Sequence, residues 1–69
     1  MAETKSFIDG EGNTYKVERA SNGKFVVMRY NEGGNRKLFK QILPSKDRKI
    51  VFDDIDVLAY KKGWRPSCL

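Results

Sequence analysis

The chain has 69 residues, enough for one small domain, and its 39% hydrophobic content supports a single core with little stability to spare. A formal charge of +5, from 14 Lys and Arg against 9 Asp and Glu, favours an anionic partner, either nucleic acid or an acidic protein surface. With no His and a single Cys, one chain cannot build an internal disulfide, the usual zinc sites or an imidazole-dependent nucleophile-base pair, so no enzyme, cofactor or metal site is expected.

The N-terminal stretch MAETKSFID lacks the apolar core of a secretory signal, and no apolar run approaches the roughly 18 residues of a membrane span. The expectation is a cytoplasmic protein with no membrane partner, a single domain over residues 1–69 with flexible ends at 1–6 and 65–69. Cys68 reads as an incidental exposed thiol.

Turn signals cut the rest at regular intervals. Gly10-Glu11-Gly12-Asn13 separates Phe7-Ile8 from the run Thr14 to Arg19, Asn22-Gly23 precedes Phe25 to Tyr30, and Gly33-Gly34 precedes Arg36 to Leu43. Asn-Gly and Gly-Gly suit two-residue hairpin turns, so the expected sheet is a three-stranded antiparallel meander, with Phe7-Ile8 as an optional short fourth strand at an edge. Pro44 ends the third strand, and Ser45 to Lys49 is a polar connector. From Phe52 to Lys62 the period changes: Ile55, Leu58 and Ala59 fall on one helical face. Asp53, Asp54 and Asp56 in a first turn and Lys61 and Lys62 in the last would complement the helix dipole. Gly63 fits the left-handed position after the helix, with Trp64 folding back on Leu58 or Ala59. The fold class is α+β, the meander followed by one C-terminal helix packed on one face.

Two-residue turns imply a register. With Asn22-Gly23 central, Ala20 opposes Phe25, Val17 opposes Met28 and Tyr15 opposes Tyr30; with Gly33-Gly34 central, Met28 opposes Phe39 and Val27 opposes Lys40. One face then holds Tyr15, Val17, Val26, Met28, Tyr30, Phe39 and Leu43 and forms the core with Ile55, Leu58, Ala59 and Trp64. The other carries Phe25, Val27, Leu38 and Ile42, framed by Lys16, Arg29, Arg36 and Lys40. Lys16 would directly oppose Arg29, a like-charge pair that an anion would relieve.

The expected function is that of a small basic, non-enzymatic nucleic-acid-binding or nucleic-acid-associated accessory protein, with DNA ahead of RNA. Lys16, Arg29, Arg36 and Lys40 would contact phosphates, Lys46, Arg48 and Lys49 would add a second strip, and Phe25 would stack or wedge. The alternative is a small protein-binding module, such as a phage-type modulator of a host protein, that docks the same sheet face on its target or on a second copy of itself. Over Thr14 to Trp64 the order of three strands and then a helix resembles the topology of small sheet-reading DNA-binding modules, such as the arm-binding domains of phage and transposon integrases. The likeness is one of topology and implies DNA binding in a phage or mobile-element setting.

Overall fold

A computed structural model describes residues 5–67 of the chain. The remaining parts of the expected flexible ends, 1–4 and 68–69, lie outside the described residues, and Cys68 with them. The elements in chain order are β1 (Ser6–Ile8), β2 (Thr14–Arg19), β3 (Phe25–Tyr30), β4 (Arg36–Leu38), α1 (Arg48–Lys62) and β5 (Arg65–Pro66). The class is α+β as expected, but the sheet has five strands rather than three or four, in the order β4-β3-β2-β1-β5. Ser6 and residues 65–66, which belong to the stretches expected to be flexible, are strand residues of this sheet. Phe7 pairs with Pro66 and Ile8 with Arg65. The Ser67 N–H donates to the Ser6 carbonyl at 2.9 Å, and the Ser6 hydroxyl donates to the Ser67 carbonyl at 2.8 Å.

Both hairpins of the meander use three-residue loops, not two-residue ones. In the first, the Ala20 N–H donates to the Lys24 carbonyl at 2.7 Å and the Gly23 N–H to the Ala20 carbonyl at 3.0 Å, leaving Ser21-Asn22-Gly23 as the loop. In the second, Asn31 and Asn35 close around Glu32-Gly33-Gly34 in the same way, at 3.1 and 3.0 Å. The last loop residue carries the positive φ in each case, 82° at Gly23 and 83° at Gly34. A two-residue I′ turn needs positive φ at both central residues, and no described non-glycine residue has it, so Asn22 cannot serve in one. The loops fit the alternative geometry, a type I turn followed by a left-handed glycine.

The extra loop residue moves the register by one in each hairpin. Val17 opposes Val27, Lys16 opposes Met28 and Tyr15 opposes Arg29, while Met28 opposes Leu38 and Tyr30 opposes Arg36. A one-residue slip exchanges the faces of a strand. β2 keeps its expected orientation, with Tyr15 and Val17 in the core, but β3 is reversed: Val27 is fully buried, and Met28 lies on the side away from the helix. Phe25 packs against the core as well, and Ile42 is buried in it. Leu43, an expected core residue, is 76% exposed.

The core is therefore Phe7, Tyr15, Val17, Val27, Ile42, Val51, Ile55 and Ala59, with Phe25, Phe39, Phe52, Leu58 and Trp64 packed around it. After β4 the Phe39 N–H still donates to the Val27 carbonyl at 2.9 Å, and the chain then bulges out and returns through a bridge between Ser45 and Phe25. The bulge tucks Ile42 under the helix.

α1 begins a full turn earlier than Phe52. The Asp47 carboxylate accepts from the Lys49 N–H at 3.0 Å and caps the helix, and Val51 extends the buried stripe of Ile55 and Ala59 at four-residue spacing. Asp53, Asp54 and Asp56 are thus not in the first turn, which holds no acidic residue. Asp53 pairs instead with Lys49 at 3.4 Å, and Asp56 pairs with Lys5. The C-terminus ends as expected. Gly63 is left-handed, its N–H reaches the Tyr60 carbonyl, and the Trp64 N–H reaches the Ala59 carbonyl at 2.9 Å, a complete Schellman motif. The Trp64 ring goes further than Ala59: it stacks on Tyr15 with centroids 4.0 Å apart, and Phe39 meets both rings edge-on.

Candidate nucleic-acid interface

The helix covers one face of the sheet, and the register assigns Ser6, Ile8, Thr14, Lys16, Glu18, Val26, Met28, Tyr30, Arg36 and Leu38 to the other. Its polar centre is built on Glu18. The Tyr30 hydroxyl donates to one oxygen of that carboxylate, and Arg36 donates to the other at 2.8 Å. The hydrogen bond to Glu18, with burial second, pushes the Tyr30 phenol above its usual range, while the charge of Glu18 raises the Arg36 guanidinium. Lys16, diagonal to Tyr30 across the β2–β3 pair, places its ammonium 5.3 Å from the centre of that ring. A cation, an aromatic ring and a neutralised ion pair thus lie side by side across three strands.

Toward the Asn22-Gly23 loop the same face becomes an apolar cleft of about 640 Å³. Val26, Met28, Leu38, Leu43 and Pro44 line it, and Arg19, Lys24 and Arg36 supply its cations. Val26 is buried at its floor, whereas Leu38 and Leu43 stand exposed at 45% and 76%.

The residues expected to form one basic face are divided. Lys16 and Arg36 are together on the helix-free face as anticipated. Arg29 and Phe25 are not, because the slip turns both toward the helix side. Lys16 and Arg29 consequently point to opposite faces, and the like-charge opposition expected between them does not exist. Arg29 lines a different cleft, about 490 Å³, with Asp9, Tyr15, Phe39, Lys62 and Trp64. Phe25 is engaged with the core and is not an exposed stacking platform. Val27 and Ile42, expected to give this surface its apolar character, are buried on the helix side, and Val26, Met28 and Leu43 take that role.

Lys40 is exposed in the bulge after β4 and has no strand partner, since Phe39 occupies the place opposite Val27 that it was expected to take. Lys46, Arg48 and Lys49 are exposed, but the connector reading holds only to Asp47. Arg48 and Lys49 are the first residues of α1, Arg48 lying 5.4 Å from the centre of the Phe52 ring and Lys49 paired with Asp53. Sequence reasoning missed Arg19, Lys24, Met28 and Tyr30. Met28 and Tyr30 were placed in the core because two-residue turns were expected, and the three-residue loops reverse β3; Arg19 and Lys24 are brought to the cleft at the end of the first hairpin.

Among the described residues the carboxylates are unevenly distributed. Asp9 and Glu11 sit in the first turn, Glu32 in the third, Asp47 at the helix cap, and Asp53, Asp54 and Asp56 on α1. Glu18 is the one carboxylate among the described residues of the helix-free sheet face, and it is already held by Tyr30 and Arg36. No helix among the described residues is long and apolar enough to cross a membrane. No protein-family model, curated protein or solved structure matches the chain.

Proposed function

We propose that this chain is a small non-enzymatic nucleic-acid-binding or nucleic-acid-associated protein whose contact surface is the helix-free face of the sheet. The observation that carries this reading is the charge on that face: Lys16, with Arg19 and Lys24 at the rim, beside a single carboxylate, Glu18, that is already paired with Arg36. Cations without competing anions are what a phosphate backbone selects. The order β2-β3-β4-α1, similar to that of sheet-reading DNA-binding modules, puts duplex DNA ahead of RNA as the ligand. Lys16 and the rim cations would hold phosphates, and Tyr30 takes the aromatic role expected of Phe25.

Binding of short duplex and single-stranded oligonucleotides, followed by fluorescence anisotropy at two salt concentrations, tests this directly. Affinity should fall steeply with salt, and Lys16→Ala should reduce the slope of log affinity against log salt by about one unit, the loss of one phosphate contact. Absence of binding at low salt would end the proposal.

A second reading has its own observation: the apolar cleft with Leu38 and Leu43 exposed at its edge suits a protein partner bearing an acidic rim. A protein complex of that kind would respond more to Leu43→Ala than to salt.

A further inference from the structure

α1 carries a second apolar surface that the fold does not use. Val51, Ile55 and Ala59 are buried against the sheet, and Ile50 and Val57 lie on the opposite side of the helix, 50% and 53% exposed. Two turns separate Ile50 from Val57, so they form a stripe along the helix, with Asp53 and Tyr60 on one flank and Asp54 and Lys61 on the other. Tyr60 is 89% exposed. Beside Val57 a cleft of about 370 Å³ opens between the helix and the bulge, lined by Leu43, Asp54, Val57, Leu58 and Lys61.

The flanking charges are arranged for self-recognition. Acidic residues precede Val57 by three and four positions, and Lys61 follows it by four. A two-fold axis through Val57, perpendicular to the helix, brings a second copy of α1 antiparallel to the first. Heights along the helix are then reversed and flanks preserved, so Asp54 of each copy comes beside Lys61 of the other, and Asp53 comes beside the Tyr60 hydroxyl. Val57 meets Val57 at the centre, and Ile50 reaches the turn around Gly63. In a parallel pair in register the same residues would set like charges together. Among the described residues Asp54 and Lys61 make no ion pair within the chain.

From this self-complementary pattern we infer that the chain forms a homodimer through the outer face of α1, with antiparallel helices related by a two-fold axis at Val57. The interface lies on the opposite side of the molecule from the helix-free sheet face, so a dimer presents two open sheet faces. The inference stands independently of what that sheet face binds.

Sedimentation velocity over a range of protein concentrations tests it, using the full chain. The wild type should pass from monomer to dimer as concentration rises. Val57→Glu, at a solvent-facing position where folding is not at stake, should raise the dissociation constant by roughly tenfold or more, since it would bury two like charges at the centre. Asp54→Lys alone and Lys61→Asp alone should each weaken the dimer, and the double variant Asp54→Lys with Lys61→Asp should restore it, because the pairs are re-formed with their signs exchanged. Met28→Glu, on the other face, should leave dimerisation unchanged. Circular dichroism establishes that each variant is folded. A wild type that stays monomeric at every concentration would overturn the inference. So would a dimer indifferent to Val57→Glu, one dissociated by Met28→Glu, or a charge exchange that fails to rescue.

Discussion

Asp9 accepts hydrogen bonds from the Glu11 and Asn13 backbone N–H groups, the Asn13 side-chain amide and the Tyr15 hydroxyl, at 2.8 to 3.0 Å. Burial works to raise this carboxyl, but the donors of Asn13, Tyr15 and Glu11 together outweigh it and hold the group down at about 2. The same contact acts on Tyr15, where burial first and then the Asp9 hydrogen bond and charge push the phenol up to about 12 against the opposing effect of Arg29. The two signs give two pH windows. A depressed carboxyl contributes stability that is present above the ordinary carboxylate value of 3.8 and is lost as pH falls toward 2. A raised phenol contributes stability that is complete below its ordinary value of 10.0 and is lost as pH rises toward 12. Urea unfolding should therefore show the wild type weakening between these limits at the acid end, the Asp9 share being about 1 kcal/mol after allowance for solvent screening. Asp9→Asn should be less stable at neutral pH and should lack that part of the acid dependence. Parallel stability profiles for the two proteins would show that the first turn is not held by this carboxylate.

The elements show why some of the fold was readable and some was not. The helix end is local chemistry: Lys61, Lys62, Gly63 and Trp64 lie within four residues of one another, and the Schellman motif forms as their order implies. The helix start was also written, in Asp47 and in the Val51, Ile55, Ala59 spacing, but the charges of Arg48 and Lys49 made that turn look like a connector. β3 was not readable from alternation, because Phe25 and Val27 on one face and Val26 and Met28 on the other are equally apolar. Only the loop length decides between them, and Asn22-Gly23 and Gly33-Gly34 are compatible with two- and three-residue loops alike. β5 was invisible for another reason: two residues after a helix, one of them a proline, have no strand pattern, and they pair with β1 through tertiary placement. The basic face followed the register, so Lys16, Arg36 and Leu38 were foreseen and Arg29 and Phe25 were misplaced by the same slip. Two substitutions check the strand. Val27→Ala should cost about 2 kcal/mol, because the side chain is fully buried, and Met28→Ala less than about 1 kcal/mol; the reverse order in urea midpoints would contradict the register. Gly34→Ala should cost about 1 kcal/mol from its backbone alone, since a Cβ there meets nothing within 4 Å. An unchanged midpoint would remove the three-residue loop from the account of β4.

At the scale of the whole molecule, one helix on a five-stranded sheet leaves two surfaces of different character. The helix side holds most of the described carboxylates, interspersed with the cations of α1, and the Ile50–Val57 stripe; the sheet side holds Lys16 and the rim cations around an apolar cleft, with its one carboxylate, Glu18, paired with Arg36. Net charge alone would not distinguish them, because long-range attraction of a polyanion fades beyond a Debye length of roughly 10 Å at 0.1 M salt. The local distribution does, and it makes the central claim a claim about a face. Two-dimensional amide NMR during titration with a short DNA duplex at low salt reads that face residue by residue. The account predicts shifts concentrated on Lys16, Glu18, Met28, Tyr30, Arg36 and Leu38, with Ile50, Val57 and Tyr60 on the outer side of the helix unmoved. Shifts centred on α1, or a spectrum that duplex leaves unchanged, would contradict it.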